Sequence, residues 1–320
     1  MASQMTIDTR VRFTAGRIEL AGTVSVPAGP APEGRWPGAL LLASFLPRDR
    51  DGNFDRLAHP AWFVDAEDEH LLLARLAAAL ASVGVASLRY DTRGSGESQG
   101  EWETADLFAL VDDARDAVTH LRQHPAVDPT RIGLAGHGEG GLIAMSVAPA
   151  DPAIGPLTLI GVPARSVRHV LRWGASHRRG RGPAGVRALD RAAEELIERV
   201  DRGEPGMDLT IGTEQVHLGL LGWHQLFGTP GRALASLQDR SVTVVHGAAD
   251  EWVNPADAAL LTAALPQPTG AARLLSGVDH DLDRATDAAL DEVAGDLAVR
   301  LERRSLPTHL LEIDGAPPSR

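Results

Sequence analysis

The chain has 320 residues, 43% of them hydrophobic, with a formal net charge of −12 and no cysteine. That length and apolar content suit one large domain, or a domain carrying an inserted subdomain. Without cysteine there are no disulfides, thiolate metal sites or cysteine nucleophiles, and the negative charge argues against nucleic acid as a partner. No basic stretch followed by an apolar one opens the sequence, so no secretory signal is expected. The apolar run Leu71–Val85 is interrupted by Arg75 and is too short to cross a bilayer. These features lead to the expectation of a soluble, cytoplasmic protein without membrane contact.

Arg10–Ala15 and Ile18–Pro27 alternate as an antiparallel hairpin does, and Ala28–Gly38 is a loop rich in proline and glycine. Ala39–Ser44 is a continuous apolar run, as in a strand buried on both faces. Glu69–Val83 has helical periodicity, Val85–Tyr90 is a second buried strand, and Ala105–His124 places Leu107, Leu110, Val111, Ala114, Val118 and Leu121 on one helical stripe. Arg131–Ala135 is a strand and Gly140–Ala148 a helix. Leu157–Gly161, Val242–His246 and Ala272–Leu275 are later strands, and Asp281–Arg303 is an amphipathic closing helix. Strands alternating with helices predict a parallel, doubly wound α/β sheet of about eight strands.

The alternation stops between the strands at 157–161 and 242–246. That stretch is helix-like, holds the basic cluster His177–Arg181, and ends in Leu220–Gly228 with Trp223 and Phe227. It is expected to be a helical cap over residues 162–239, inserted after the sixth strand. The core then comprises residues 1–161 and 240–304, and residues 305–320 form a disordered tail.

Between the strand at 131–135 and the helix at 140–148 lies Leu134-Ala-Gly136-His137-Gly138-Glu139-Gly140-Gly141. Gly136 and Gly140 frame the sharp strand–turn–helix elbow that presents a nucleophilic serine as Gly-x-Ser-x-Gly. Gly138 stands where that serine would be. Glycine takes the strained backbone without steric cost, so the turn survives while the oxygen nucleophile is gone. Further on, strand 242–246 runs into Gly247-Ala-Ala-Asp250-Glu-Trp252-Val253-Asn-Pro255, and strand 272–275 into Ser276-Gly-Val-Asp-His280. Elbow, Asp250 and His280 follow one another as elbow, acid and base do in this fold. A carboxylate on one imidazole nitrogen fixes the tautomer and raises the basicity of the other.

The resemblance extends to Pro47-Arg-Asp-Arg-Asp-Gly-Asn53 and Arg89-Tyr-Asp-Thr-Arg-Gly-Ser-Gly-Glu-Ser98. With the elbow, acid and base loops, these segments resemble the α/β-hydrolase superfamily. The specific likeness is to bacterial dienelactone hydrolases and prolyl-oligopeptidase-like acyl hydrolases, over roughly residues 38–150 and 240–300. The resemblance implies an α/β-hydrolase fold, with Asp91, Arg93 and Ser98 bracing a loop. In that family Pro47 follows Gly-Ser-Gly, whose backbone helps form the oxyanion hole. Here Ser44-Phe45-Leu46 precede it, which implies a reshaped pocket around the Glu139 N–H. His137, Trp223 and Trp252 join Ser44, Phe45, Leu46 and Glu139 as candidate pocket residues.

Losing the nucleophile while keeping His280 and Asp250 points first to a cofactor-free enzyme that uses them as a general base on an acyl- or ester-type small molecule. Lyase, elimination or cyclisation chemistry would need only that base, with Gly138 leaving room beneath it for substrate or water. A serine hydrolase whose nucleophile was replaced by Gly138, and a non-catalytic ligand-binding protein, are the alternatives. Gly94-x-Gly96 lacks a dinucleotide-binding context, and His217 and His224 lack partners at metal-ligand spacing. No cofactor and no metal are therefore expected. Glu139 is expected to start the helix after the elbow, where an acid favours the positive helix end.

Overall fold

The computed structural model describes residues 6–59, 69–177, 183–211, 214–266 and 272–303. The tail expected at 305–320 and most of the basic cluster lie outside them. Strand β1 (Thr6–Ala15) pairs antiparallel with β2 (Ile18–Pro27), the hairpin read from the sequence with its first strand extended. Strands β3 (Trp36–Leu42), β4 (Ala86–Tyr90), β5 (Val127–His137), β6 (Ile154–Ile160), β9 (Val242–Gly247) and β10 (Arg273–Leu275) complete an eight-stranded sheet. Its order is β1-β2-β4-β3-β5-β6-β9-β10. From β4 to β10 every pairing is parallel.

Period-two alternation sorts the buried residues between two layers. Leu40 and Leu42 of β3 face one side with Ile132, Leu134, Leu157 and Leu159, against α2 (Leu107–Gln123) and α3 (Glu139–Val147). Leu41 and Ala43 face the other with Ala135, Ile160 and Val245, against α1 (Leu72–Ser82) and α9 (Asp287–Arg303). Because both faces are covered, these strands read as unbroken apolar runs.

Between β6 and β9 the described chain forms α4 (Val167–His177), α5 (Pro183–Asp201), α6 (Leu221–Gly228) and α7 (Gly231–Ala235). It also forms an antiparallel pair, β7 (Gly206–Ile211) and β8 (Glu214–Gly219), which corrects the all-helical expectation for this stretch. Met207, Leu209, Val216 and Leu218 alternate with polar residues there. That short period-two signal is easily masked by the strongly amphipathic helices before it. Gln225 of α6 accepts a hydrogen bond from the Leu107 N–H at 2.8 Å, tying the segment to the start of α2. Helix α8 (Asp257–Ala264) follows β9, and its Asp257 accepts the Ala164 N–H at 2.9 Å.

The loops bearing Asp91, Arg93 and Ser98 are braced as expected. Asp91 accepts hydrogen bonds from the Arg50 backbone at 2.7 Å and from the Glu97 N–H at 2.8 Å. Arg93 pairs with Asp113 at 2.7 Å, and Ser98 Oγ donates to the Asp91 carbonyl at 2.7 Å.

Candidate active site

The sharp turn from β5 into α3 is built on glycine. Gly138 has φ 52° and ψ −117°, a conformation that penalises any Cβ. A Cβ at Gly136 would overlap the Gly140 backbone, and one at Gly140 would overlap the carbonyls of Leu42 and Ala43. Strand and helix therefore meet closely enough here that only glycine fits at the two frame positions.

Two C-terminal strand ends bring Asp250 and His280 to this turn. The loop after β9 carries Asp250, whose Oδ1 accepts the N–H groups of Trp252 at 2.7 Å and Val253 at 2.8 Å. Its Oδ2 lies 2.8 Å from His280 Nδ1, on the loop after β10. With Nδ1–H donating to the carboxylate, the His280 Nε2 lone pair is free to accept. Burial opposes a charge on His280, but the Asp250 carboxylate outweighs it and holds the imidazole above its ordinary pKa. Burial likewise pushes Asp250 up, and His280 and His246 together hold it well below the carboxylate range.

His246 was not singled out in the sequence. It is fully buried, and its Nε2 lies 3.0 Å from the same Asp250 oxygen that meets His280. The His-Gly-x-x-Asp spacing, four residues across one strand end, was the available signal. A second missed group is the buried Arg48–Asp281 ion pair, at 2.8 Å, directly beside the base. Burial raises Asp281, but the Arg48 guanidinium pulls it well down. His137 packs its ring 4.5 Å from the His280 ring and donates from Nε2 to the His280 carbonyl at 3.0 Å. Burial, with His280 adding to it, holds His137 well below its ordinary pKa, so it stays neutral.

The space beneath the base is not open, which corrects the expectation for Gly138. Ser44, just beyond β3, places its Oγ 3.2 Å from His280 Nε2. A Cβ added to Gly138 would overlap that same Oγ. The hydroxyl of Ser44 thus fills the volume an elbow side chain would take.

Ser44 also lines a narrow cavity of about 20 Å³ with Leu46, Trp102, Glu139 and Ile143. A second cavity of about 30 Å³ adjoins it through Trp102 and Glu139, and is lined by Phe45, Leu218 and Trp223. The Phe45 ring meets Trp223 edge-on at 4.9 Å and Trp102 at 6.0 Å. Leu46 holds φ 76°, a left-handed conformation where the resembled family carries glycine. Glu139 does head α3, as expected, but its carboxyl is buried. Desolvation raises its pKa to about 7, with no group among the described residues to offset it. Trp252 stands behind the base, 6.4 Å from the His280 ring, and lines neither cavity.

Solved structures share this architecture. Est1E from Butyrivibrio proteoclasticus, with ferulic acid bound, superposes with a TM-score of 0.62 at 16% identity, covering 91% of this chain and 99% of that one. The α/β hydrolase GrgF from a Penicillium species gives 0.62 at 19% identity, over 93% of this chain and 99% of its own. This chain has the α/β-hydrolase fold. The serine aminopeptidase S33 family model matches residues 67–190. A polyketide transferase of Penicillium crustosum is 36% identical over 84 residues, 26% of this chain and 27% of the relative. A thiohydrolase of Aspergillus aculeatus is 39% identical over 72 residues, 22% of this chain and 23% of its own. The matched segment thus spans only about a quarter of the length of these relatives. No helix among the described residues is long and apolar enough to cross a membrane.

Proposed function

We propose that this protein is a cofactor-free enzyme acting on small acyl- or ester-type molecules, with His280, oriented by Asp250, as its general base. The observation that carries the reading is the buried 2.8 Å contact between His280 Nδ1 and Asp250 Oδ2, set at the elbow of a hydrolase fold whose elbow residue has no side chain. Asp250 fixes the tautomer and stabilises the imidazolium that forms when Nε2 takes a proton. Partial likeness to a polyketide transferase and a thiohydrolase, both named for acyl chemistry, supports the same substrate class.

Hydrolysis through a serine at the elbow is the second reading. It is disfavoured by the overlap between a Cβ at 138 and the Ser44 hydroxyl, because such a side chain would have to displace Ser44 from the base. A ligand-binding protein without turnover would have no use for an acid-oriented imidazole.

His280→Ala is expected to lower kcat/KM on small esters and thioesters to background while the circular dichroism spectrum is unchanged. Asp250→Asn keeps the shape but favours the wrong tautomer, a change that costs about 10⁴-fold in a triad. Near-normal turnover by His280→Ala would end the general-base reading.

A further inference from the structure

We infer that Ser44 is the catalytic nucleophile, so that a Ser44–His280–Asp250 triad takes the place of one built on the elbow. The inference rests on His280 being the general base and adds the group on which it acts. Three independent observations meet at one atom. Ser44 Oγ lies 3.2 Å from His280 Nε2, the nitrogen left as acceptor by the bond to Asp250. It occupies the volume that a side chain on Gly138 would need, so an elbow side chain would have to turn the Ser44 hydroxyl away from His280. Ser44 also lines the cavity shared with Glu139 and Leu46, whereas His280 lines neither that cavity nor its neighbour. Ser44 is therefore the group that touches both the base and the space for substrate.

A base pointed into the cavity would suffice for elimination or ring closure. Here a hydroxyl stands between base and cavity, which is the arrangement of nucleophilic catalysis. His280 Nε2 takes the Ser44 proton as Oγ bonds to the carbonyl carbon of an ester or thioester. The carbonyl electron pair moves onto its oxygen, beside the N-terminal end of α3, where peptide dipoles favour negative charge. Collapse restores the carbonyl and breaks the bond to the leaving alkoxide or thiolate, which receives the proton from His280. This leaves an acyl ester on Ser44. A water or acceptor hydroxyl then gives its proton to His280 and attacks the acyl carbon; collapse breaks the bond to Ser44 Oγ, which takes the proton back from His280. The final acceptor decides whether the outcome is hydrolysis or acyl transfer.

The unpartnered left-handed backbone of Leu46 belongs to the same arrangement. It falls in the turn that carries Ser44 from β3 toward the base, and strain of this kind persists where the surroundings impose it.

The test uses the full chain and two probes, p-nitrophenyl acetate and diisopropyl fluorophosphate. The fluorophosphate is expected to add one diisopropylphosphoryl group per chain, with loss of fluoride, on the peptide carrying Ser44. The adduct should vanish in Ser44→Ala and in His280→Ala, and acetate release should fall at least about 100-fold in both. Ser44→Cys gives a second readout that survives loss of ester turnover. Since the natural chain has no cysteine, the introduced thiol reports alone. Its alkylation by iodoacetamide should follow a pKa below the ordinary thiol value of about 8.5, and His280→Ala in that background should return it there. An adduct on another residue, an adduct retained in Ser44→Ala, or a thiol pKa indifferent to His280 would overturn the inference. The pattern separates the two readings: inactive His280→Ala with fully active Ser44→Ala removes the nucleophile and keeps the base. Active His280→Ala removes the base itself.

Discussion

Glu139 is a single residue that a sequence motif treats as a spacer between the elbow and its second glycine. Its position explains both its burial and its cost. As the first residue of α3 it profits from the helix end, yet the turn directs its carboxyl between Trp102, Phe45 and Trp223, away from water. Burial raises its pKa from 4.5 to about 7. The unfolded chain loses this proton first, so the folded state binds more protons between those values and stability falls as pH rises through them. The shift corresponds to about 3 kcal/mol lost by the time the group is ionised in the fold. Glu139→Gln should therefore have a flatter pH dependence in urea unfolding. It should gain on the wild type between about pH 5 and about pH 8. A gap between the two proteins that stays constant over that range would mean the carboxyl finds a partner in solution.

At the scale of elements, helix α2 shows how local signals and tertiary context divide the work. Its apolar stripe packs on β5 and α3, and Asp106 caps it, accepting the Ala109 N–H at 2.7 Å. Asp106→Ala should cost about 1 kcal/mol and shift the urea midpoint at constant slope, with turnover unchanged. A loss of turnover without loss of stability would show instead that the start of α2, tied to Gln225, governs the site. The elements legible from sequence are those with this kind of redundancy. The strands β3 to β6 and β9 declare themselves by apolar runs, since both faces are covered, and α1, α2 and α3 by stripe or elbow. The pair β7 and β8 was hidden because each strand is six residues long and flanked by stronger helical periodicity. His280, Asp250 and the vacancy at Gly138 were legible because strand ends and chain order place them. Ser44 was visible only as a pocket residue, since no local pattern reveals that its hydroxyl turns toward an imidazole on another strand end. The His-Gly-x-x-Asp spacing alone hinted that His246 also meets Asp250.

At the scale of the whole molecule, the buried titratable groups set stability and chemistry against one another. Three histidines hold protons more tightly when folded. For each, burial acts against the charge but is outweighed, by Asp250 at His280, by Glu103 at His59 and by Asp283 at His70. A histidine whose folded pKa is raised contributes stability that is fully present below its unfolded value of 6.5 and is lost as pH climbs through the folded value. Glu139 tilts the balance the same way up to about 7. His137 acts oppositely, but only below 6.5, because the fold already holds it neutral. Above that pH nothing among these groups compensates, so the free energy of unfolding should fall from pH 6.5 toward about pH 8.5. The proposed reaction needs His280 neutral, so kcat/KM should rise over the same interval, with a midpoint above the ordinary histidine value. The two curves should therefore cross. Asp250→Asn removes the partner that raises His280, and should flatten the fall in stability as well as slowing the reaction. Parallel urea titrations and initial-rate measurements at intervals across that range read both curves. If stability rose with pH while activity fell, Asp250 would not be holding the His280 pKa up, and the neutral imidazole would not be the active form.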